Sequence, residues 1–113
     1  MTVGEIIEQV SLTVMAATAG LDKEVKQGYV SDLLSNVMAF AGADSVWVTM
    51  QGHQNIVAVA SLAGLSAVII AGGAKPEDET IAKAKQEGVV LLATPLPSFE
   101  VAGQLYRLGI RGA

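Results

Sequence analysis

Histidine is the one side-chain type that ionises near neutral pH, and this 113-residue chain holds a single one, His53. It sits in the polar stretch Thr49-Met50-Gln51-Gly52-His53-Gln54-Asn55. There it can act as an acid, a base or a hydrogen-bond donor to a ligand. The plainer role is to cap the following helix together with Asn55. No acidic residue lies near it in sequence, so local spacing assembles no nucleophile–base–orienter set. The chain has no cysteine, which excludes disulfides and thiol catalysis. Without cysteine or a second histidine, the composition also argues strongly against a zinc site.

Two further turns carry polar or glycine-rich chemistry. In Ala71-Gly72-Gly73-Ala74-Lys75-Pro76, the glycines follow an apolar run, where backbone amides can approach a phosphate and Lys75 can pair with an anion. Neither the Gly-x-Gly-x-x-Gly dinucleotide fingerprint nor the Gly-Lys-Ser/Thr ending of a P-loop is present. Pro76 suits a first helical position, and Glu77, Asp78 and Glu79 complement the positive helix end. That acidic turn argues against a phosphate and for an ordinary strand-to-helix turn. Thr94-Pro95-Leu96-Pro97-Ser98 is a stiff entry to a last helix, with Ser98 as its expected cap. Thr94 and Ser98 can also hydrogen-bond a ligand. Ser31 and Asp32 read mainly as helix caps, and Trp47 as core or interface. Met15, Met38 and Met50 can line an adaptable pocket or simply fill gaps.

The elements that must position these turns follow from periodicity. Thr2-Val3-Gly4-Glu5 has capping-box spacing and predicts a helix to about Gln9. Leu12 to Met15 predicts a strand, Ala19 to Gln27 a loop, and Tyr29-Val30 a short extended piece. From there one pattern repeats three times. Helix 32–40 ends near Gly42 before strand Ser45 to Thr49. Helix 55–63 ends at Gly64 before strand Ala67 to Ile70. Helix 77–87 ends at Gly88 before strand Val89 to Ala93. A last helix from Ser98 to Leu108 ends at Gly109. Strands such as Ala67-Val68-Ile69-Ile70 are apolar on both faces, as in a parallel sheet covered on both sides. The expected fold is α/β, a three-layer α/β/α sandwich with a mostly parallel sheet of four to five strands. It forms a single domain over residues 1–113. In such sheets ligands bind beyond the carboxyl ends of the strands, where the three polar turns should gather.

Composition narrows the function classes. Seven Lys and Arg against eleven Asp and Glu give a net charge of −4; 51% of residues are hydrophobic and only 16% charged. That balance excludes disorder and a basic nucleic-acid surface. No charge occurs between Asp44 and Lys75, yet Ser61, Gly64 and Ser66 interrupt the apolar run. A spanning helix needs about 18–20 consecutive apolar residues, so helix–glycine–strand is the better parse and no membrane span is expected. The N-terminus carries Glu5 and Glu8 and no basic region before an apolar run, unlike a secretory signal. The absence of cysteine fits a reducing cytoplasm. An apolar surplus remains beyond what one small sandwich can bury, and it predicts self-association, most simply as a dimer.

The stretch Gly28-Tyr29-Val30-Ser31-Asp32-Leu33-Leu34-Ser35-Asn36-Val37-Met38-Ala39, continued by Val46-Trp47-Val48-Thr49, carries a family resemblance. So do His53-x-Asn55-Ile56-x-Ala58-Val59-Ala60 and Phe99-Glu100-x-Ala102-Gly103-x-Leu105-Tyr106. Over roughly Ile6 to Gly112 the chain resembles stand-alone DRTGG-domain proteins. The naming peptide Asp-Arg-Thr-Gly-Gly is absent, and the turn 71–76 occupies a comparable glycine-rich position. Similar domains accompany CBS domains in some pyrophosphatases and occur in some phosphotransacetylases, and they resemble the N-terminal domain of HPr kinase. The resemblance implies an α/β/α fold and an accessory or regulatory role, with partners in redox or signalling systems. It carries over no catalytic centre and implies no cofactor. The leading expectation is a non-catalytic regulatory domain. It would bind a small, nucleotide-like ligand or a partner protein through Thr49, Gln51, His53, Asn55, Gly72, Gly73, Lys75, Thr94 and Ser98. The alternatives are a small enzyme using His53 and a ligand-free homo-oligomeric scaffold.

Overall fold

The computed structural model describes residues 1–112. Its elements in chain order are α1 (Val3–Val10), β1 (Thr13–Ala16), β2 (Gln27–Val30), α2 (Leu34–Phe40) and β3 (Ser45–Thr49). They continue with α3 (Asn55–Ala63), β4 (Ala67–Ile70), α4 (Asp78–Glu87), β5 (Leu91–Ala93) and α5 (Ser98–Arg107). The five strands form one sheet in the order β1-β5-β4-β3-β2. β2 through β5 run parallel, and β1 lies antiparallel to β5 at one edge, with an irregularity between Val14 and Ala16. The architecture is the expected α/β/α sandwich, with five strands.

The two sheet faces explain the continuous apolar runs. On one face Val46, Val48, Ala67, Ile69 and Leu92 pack with Val3, Ile6 and Val10 of α1 and Val101 and Leu105 of α5. On the other, Trp47, Val68, Ile70 and Leu91 pack with Val37 of α2, Ile56, Val57 and Ala60 of α3 and Ala84 of α4. Successive side chains of a strand point to opposite faces, so both phases of β3 and β4 are buried. Trp47 is wholly buried, and its indole N–H donates to the Ser31 carbonyl at 2.8 Å. No helix among the described residues is long and apolar enough to cross a membrane.

Local chemistry sets most boundaries. Thr2 and Glu5 form the capping box: Thr2 Oγ1 accepts from the Glu5 amide at 3.2 Å, and Glu5 accepts from the Thr2 amide at 2.9 Å. The Thr2 amide foremost, and then the Thr2 hydroxyl, which donates to Glu5 Oε1 at 3.1 Å, hold the Glu5 carboxyl below its ordinary pKa. α3 and α4 close on Gly64 and Gly88 in the left-handed conformation. α2 departs from that expectation, because Ala41, in extended conformation, ends it. A Cβ on Gly42 would meet only the amide end of the flexible Gln27 side chain. Two expected caps also differ. Leu33 and Pro97 occupy the N-cap positions of α2 and α5, and neither helix start has a side-chain cap. Ser98 is therefore the first residue of α5, and Asp32 is free to reach elsewhere.

Candidate functional site

The three polar turns do lie at the carboxyl ends of β3, β4 and β5, and each is bonded to the next, yet they are not alike. Asp32, just beyond β2, spans to the end of β3. Its Oδ1 accepts from Thr49 Oγ1 and from the Met50 amide, both at 2.7 Å. Thr49 is buried, and its hydroxyl also accepts from the Gln51 amide at 3.2 Å. The Gln51 side-chain amide donates to the Asp32 carbonyl at 3.4 Å. His53 is exposed, and its Nδ1 accepts the Asn55 amide at 3.1 Å. That bond leaves Nε2 to carry the proton of the neutral ring. Asn55, also exposed, opens α3. Thr49, Gln51, His53 and Asn55 thus belong to a turn whose polar groups largely satisfy one another.

Gly52 ties this turn to the next one. Its carbonyl accepts the Glu77 amide at 3.1 Å and Thr80 Oγ1 at 2.6 Å. A Cβ on Gly52 would lie 2.6 Å from the Lys75 carbonyl oxygen and 3.3 Å from Pro76 Cα. Only glycine allows so close an approach of two backbones.

Between β4 and β5 the geometry changes. The chain leaves β4 for α4 on one face of the sheet and leaves β5 for α5 on the other. Adjacent strands whose following helices diverge leave a crevice, the switch point where open α/β sheets bind ligands. Here it is a cavity of about 460 Å³. Its walls are Gly73, Ala74, Lys75 and Pro76 from the β4–α4 turn, and Asp78 and Ile81 of α4. Ala93, Thr94 and Pro95 come from the end of β5, and Thr13 and Met15 from β1. The lining is mostly apolar, with the Lys75 ammonium and the Asp78 carboxylate as its charges and two threonines as its hydroxyls.

The glycine turn is not a phosphate cradle. The Gly72 amide donates to the Leu96 carbonyl at 2.7 Å and the Gly73 amide to the Thr94 carbonyl at 3.1 Å. Both glycines have φ of +74°, the left-handed conformation that aims these amides across to the neighbouring turn. Buried Thr94 in turn accepts the Leu96 amide on its Oγ1 at 3.2 Å. The donors that would hold an anion instead bind the two turns together. What remains around the cavity is mostly apolar surface, with Lys75, Asp78, Thr13 and Thr94 as its polar groups.

Of the nine candidate residues, Gly73, Lys75 and Thr94 line the cavity. Thr49, Gln51, His53, Asn55, Gly72 and Ser98 do not. Among the residues that local reading missed, Thr13, Ala93 and Ile81 carry no chemical signal of their own. Met15 was flagged only as a methionine able to line a pocket. β1 reaches the site because it closes the sheet beside β5, and the distance along the chain hides this.

Comparisons with known proteins agree with this architecture. No curated protein matches the chain. A similar solved structure holds the CBS and DRTGG domains of the regulatory region of a Clostridium perfringens pyrophosphatase, complexed with its activator diadenosine tetraphosphate. The likeness has a TM-score of 0.71 at 17% identity, covering 92% of this chain and 45% of that one. This chain thus spans less than half of that structure, and what the two share is the fold. The sequence model of the DRTGG domain matches residues 5–108, so the chain belongs to the DRTGG domain family.

Proposed function

We propose that this chain is a non-catalytic regulatory or accessory domain that binds a small, nucleotide-like ligand in the crevice between the β4–α4 and β5–α5 turns. The observation that carries the reading is the cavity of about 460 Å³ at the point where the two helices diverge. Its mostly apolar walls suit a purine-like base, and Lys75 in the same lining supplies a cation for a phosphate group, beside the Asp78 carboxylate. The regulatory context of the pyrophosphatase structure, with its dinucleotide activator, supports the class of ligand. An enzyme built on His53 is the weaker reading, because that ring is exposed, lies outside the cavity lining and already takes the Asn55 amide. The reading includes one domain over residues 1–113, a reducing cytoplasm as its compartment, and self-association of the chain, with a redox or signalling protein as the regulated partner.

The test is thermal unfolding against a panel of nucleosides, mononucleotides and dinucleoside polyphosphates. A ligand held by the native state alone stabilises it by about 2.7 kcal/mol at a hundred times its Kd. The expected result is a rise in melting temperature with base-containing compounds and none with inorganic tripolyphosphate. A flat response to the whole panel at millimolar concentration would remove the ligand reading.

A further inference from the structure

The charges around the crevice between β4 and β5 set a limit on the ligand it can hold. Of the seven Lys and Arg residues, only Lys75 lines the cavity. Just beyond it, Glu77, Asp78 and Glu79 stand at the start of α4, so residues 75–79 carry one positive and three negative charges. Among the described residues none of these carboxylates is in an ion pair, since the pairs join the N-terminal ammonium to Glu24, Lys26 to Asp44 and Lys83 to Glu87. The positive end of α4, worth about half a charge, is met by the acidic side chains of its own first turn. The Gly72 and Gly73 amides are spent on the Leu96 and Thr94 carbonyls. Asp78 lines the cavity itself, and an ionised carboxylate only accepts hydrogen bonds. Sugar hydroxyls and exocyclic amines can donate to it, whereas an ionised phosphate brings only further acceptors.

We propose that the cavity selects a nucleoside carrying at most one phosphate and discriminates against di- and triphosphates. This rests on the reading that the crevice binds a nucleotide-like ligand, and it adds the charge class of that ligand. One phosphate can pair with Lys75. A second and a third have no cation in the lining and meet the field of three carboxylates, on a chain whose net charge is −4. Like charges repel, so each added phosphate costs affinity although it adds atoms that could make contacts. Glu77, Asp78 and Glu79 are exposed, and water weakens their field. The discrimination is therefore about threefold per phosphate after the first, not orders of magnitude. The same physics fixes the sign of the salt response. Screening removes repulsion, so salt strengthens triphosphate binding, the reverse of a site built from cations.

Isothermal titration of the full chain with adenosine, AMP, ADP and ATP, without divalent cations and at low and high salt, tests the proposal. Adenosine and AMP are expected to bind more tightly than ADP and ATP, and added salt should narrow the gap. The double variant Glu77→Gln with Glu79→Gln neutralises two carboxylates outside the cavity lining, neither of which caps α4 through its side chain. With its fold confirmed by circular dichroism melting, it should bring ATP to within about twofold of AMP and leave adenosine unchanged. Lys75→Gln should weaken AMP by about threefold and spare adenosine. ATP binding as tightly as AMP, and weakening with salt, overturns the charge class while leaving the crevice reading in place. An order that survives the double substitution makes cavity size the cause and overturns the charge argument. If none of the four compounds binds, the crevice reading falls and this inference falls with it.

Discussion

The turn after β3 and the crevice between β4 and β5 lie on the same edge of one sheet and are made from similar residues, yet they end in opposite conditions. In the first, Asp32, Thr49, Gln51 and His53 spend their hydrogen bonds on each other and on local amides. In the second, a cavity remains with Lys75 at its rim. Residue type does not account for the difference, because hydroxyls and glycines occur in both. The course of the chain does. α3 and α4 cover the same face, so the turn after β3 is packed against its neighbour, with Gly52 in contact with residues 75–76. α4 and α5 cover opposite faces, and the sheet edge between them stays open. Polar loop residues mark a site only where the topology keeps space beside them.

If the turn after β3 is structural, breaking it should damage the fold before it damages ligand response. Asp32→Ala removes two short charge-assisted bonds and strands the buried Thr49 hydroxyl. It should cost about 3 kcal/mol, read as a lower midpoint in urea unfolding. Asp32→Asn, which keeps one acceptor oxygen, should recover part of that loss. Gly52→Ala tests the joint between the two regions. Its methyl would press on the Lys75 carbonyl, which cannot retreat freely while the Glu77 amide and Thr80 hydroxyl bind Gly52. An expected cost of about 2 kcal/mol should come with a weaker ligand-induced rise in melting temperature, because the displaced backbone is a cavity wall. A full-strength ligand response in a destabilised Gly52→Ala protein would separate the two regions and count against the joint.

Ala93→Leu sharpens the comparison from the other side. Ala93 is half-buried on β5 and lines the cavity, so leucine fills the ligand's space at a stability change under about 1 kcal/mol. The expected outcome is a folded protein whose melting temperature no longer responds to the nucleotide panel. If the response survives, the ligand sits elsewhere.

The layers and most elements were legible because they rest on local patterns. Val68 and Ile69 sit on opposite faces of β4, both apolar, and that predicts a strand covered twice. Gly64 and Gly88 mark helix ends for a conformational reason that sequence shows directly. Of the candidate residues, Gly73, Lys75 and Thr94, chosen because they follow strands, line the cavity, while the same logic also selected His53 and Asn55, outside its lining. Three facts were out of reach. Asp32 is a good helix cap by type, and only the fold shows it bonded to Thr49 instead. The glycine amides look available until the turn at Thr94 and Leu96 is seen beside them. Thr13 and Met15 reach the cavity through an antiparallel pairing with β5, set by tertiary packing and not by any signal near residue 13.

His53→Ala should have the smallest effect of these substitutions, and it bears most directly on the comparison. The ring supplies one acceptor to the Asn55 amide at the start of α3, and it does so in solvent. Water can replace that acceptor, so the loss should be about 0.5 kcal/mol, near the lower end for a lost helix cap. His53 touches no part of the cavity lining, so the ligand-induced rise in melting temperature should match that of the wild-type chain. Measuring both quantities on one protein separates the roles. A small stability loss with an unchanged ligand response makes His53 a cap. A normal stability with an abolished response would draw the turn after β3 into the site, and the line between a closed and an open region would have to be redrawn along β3.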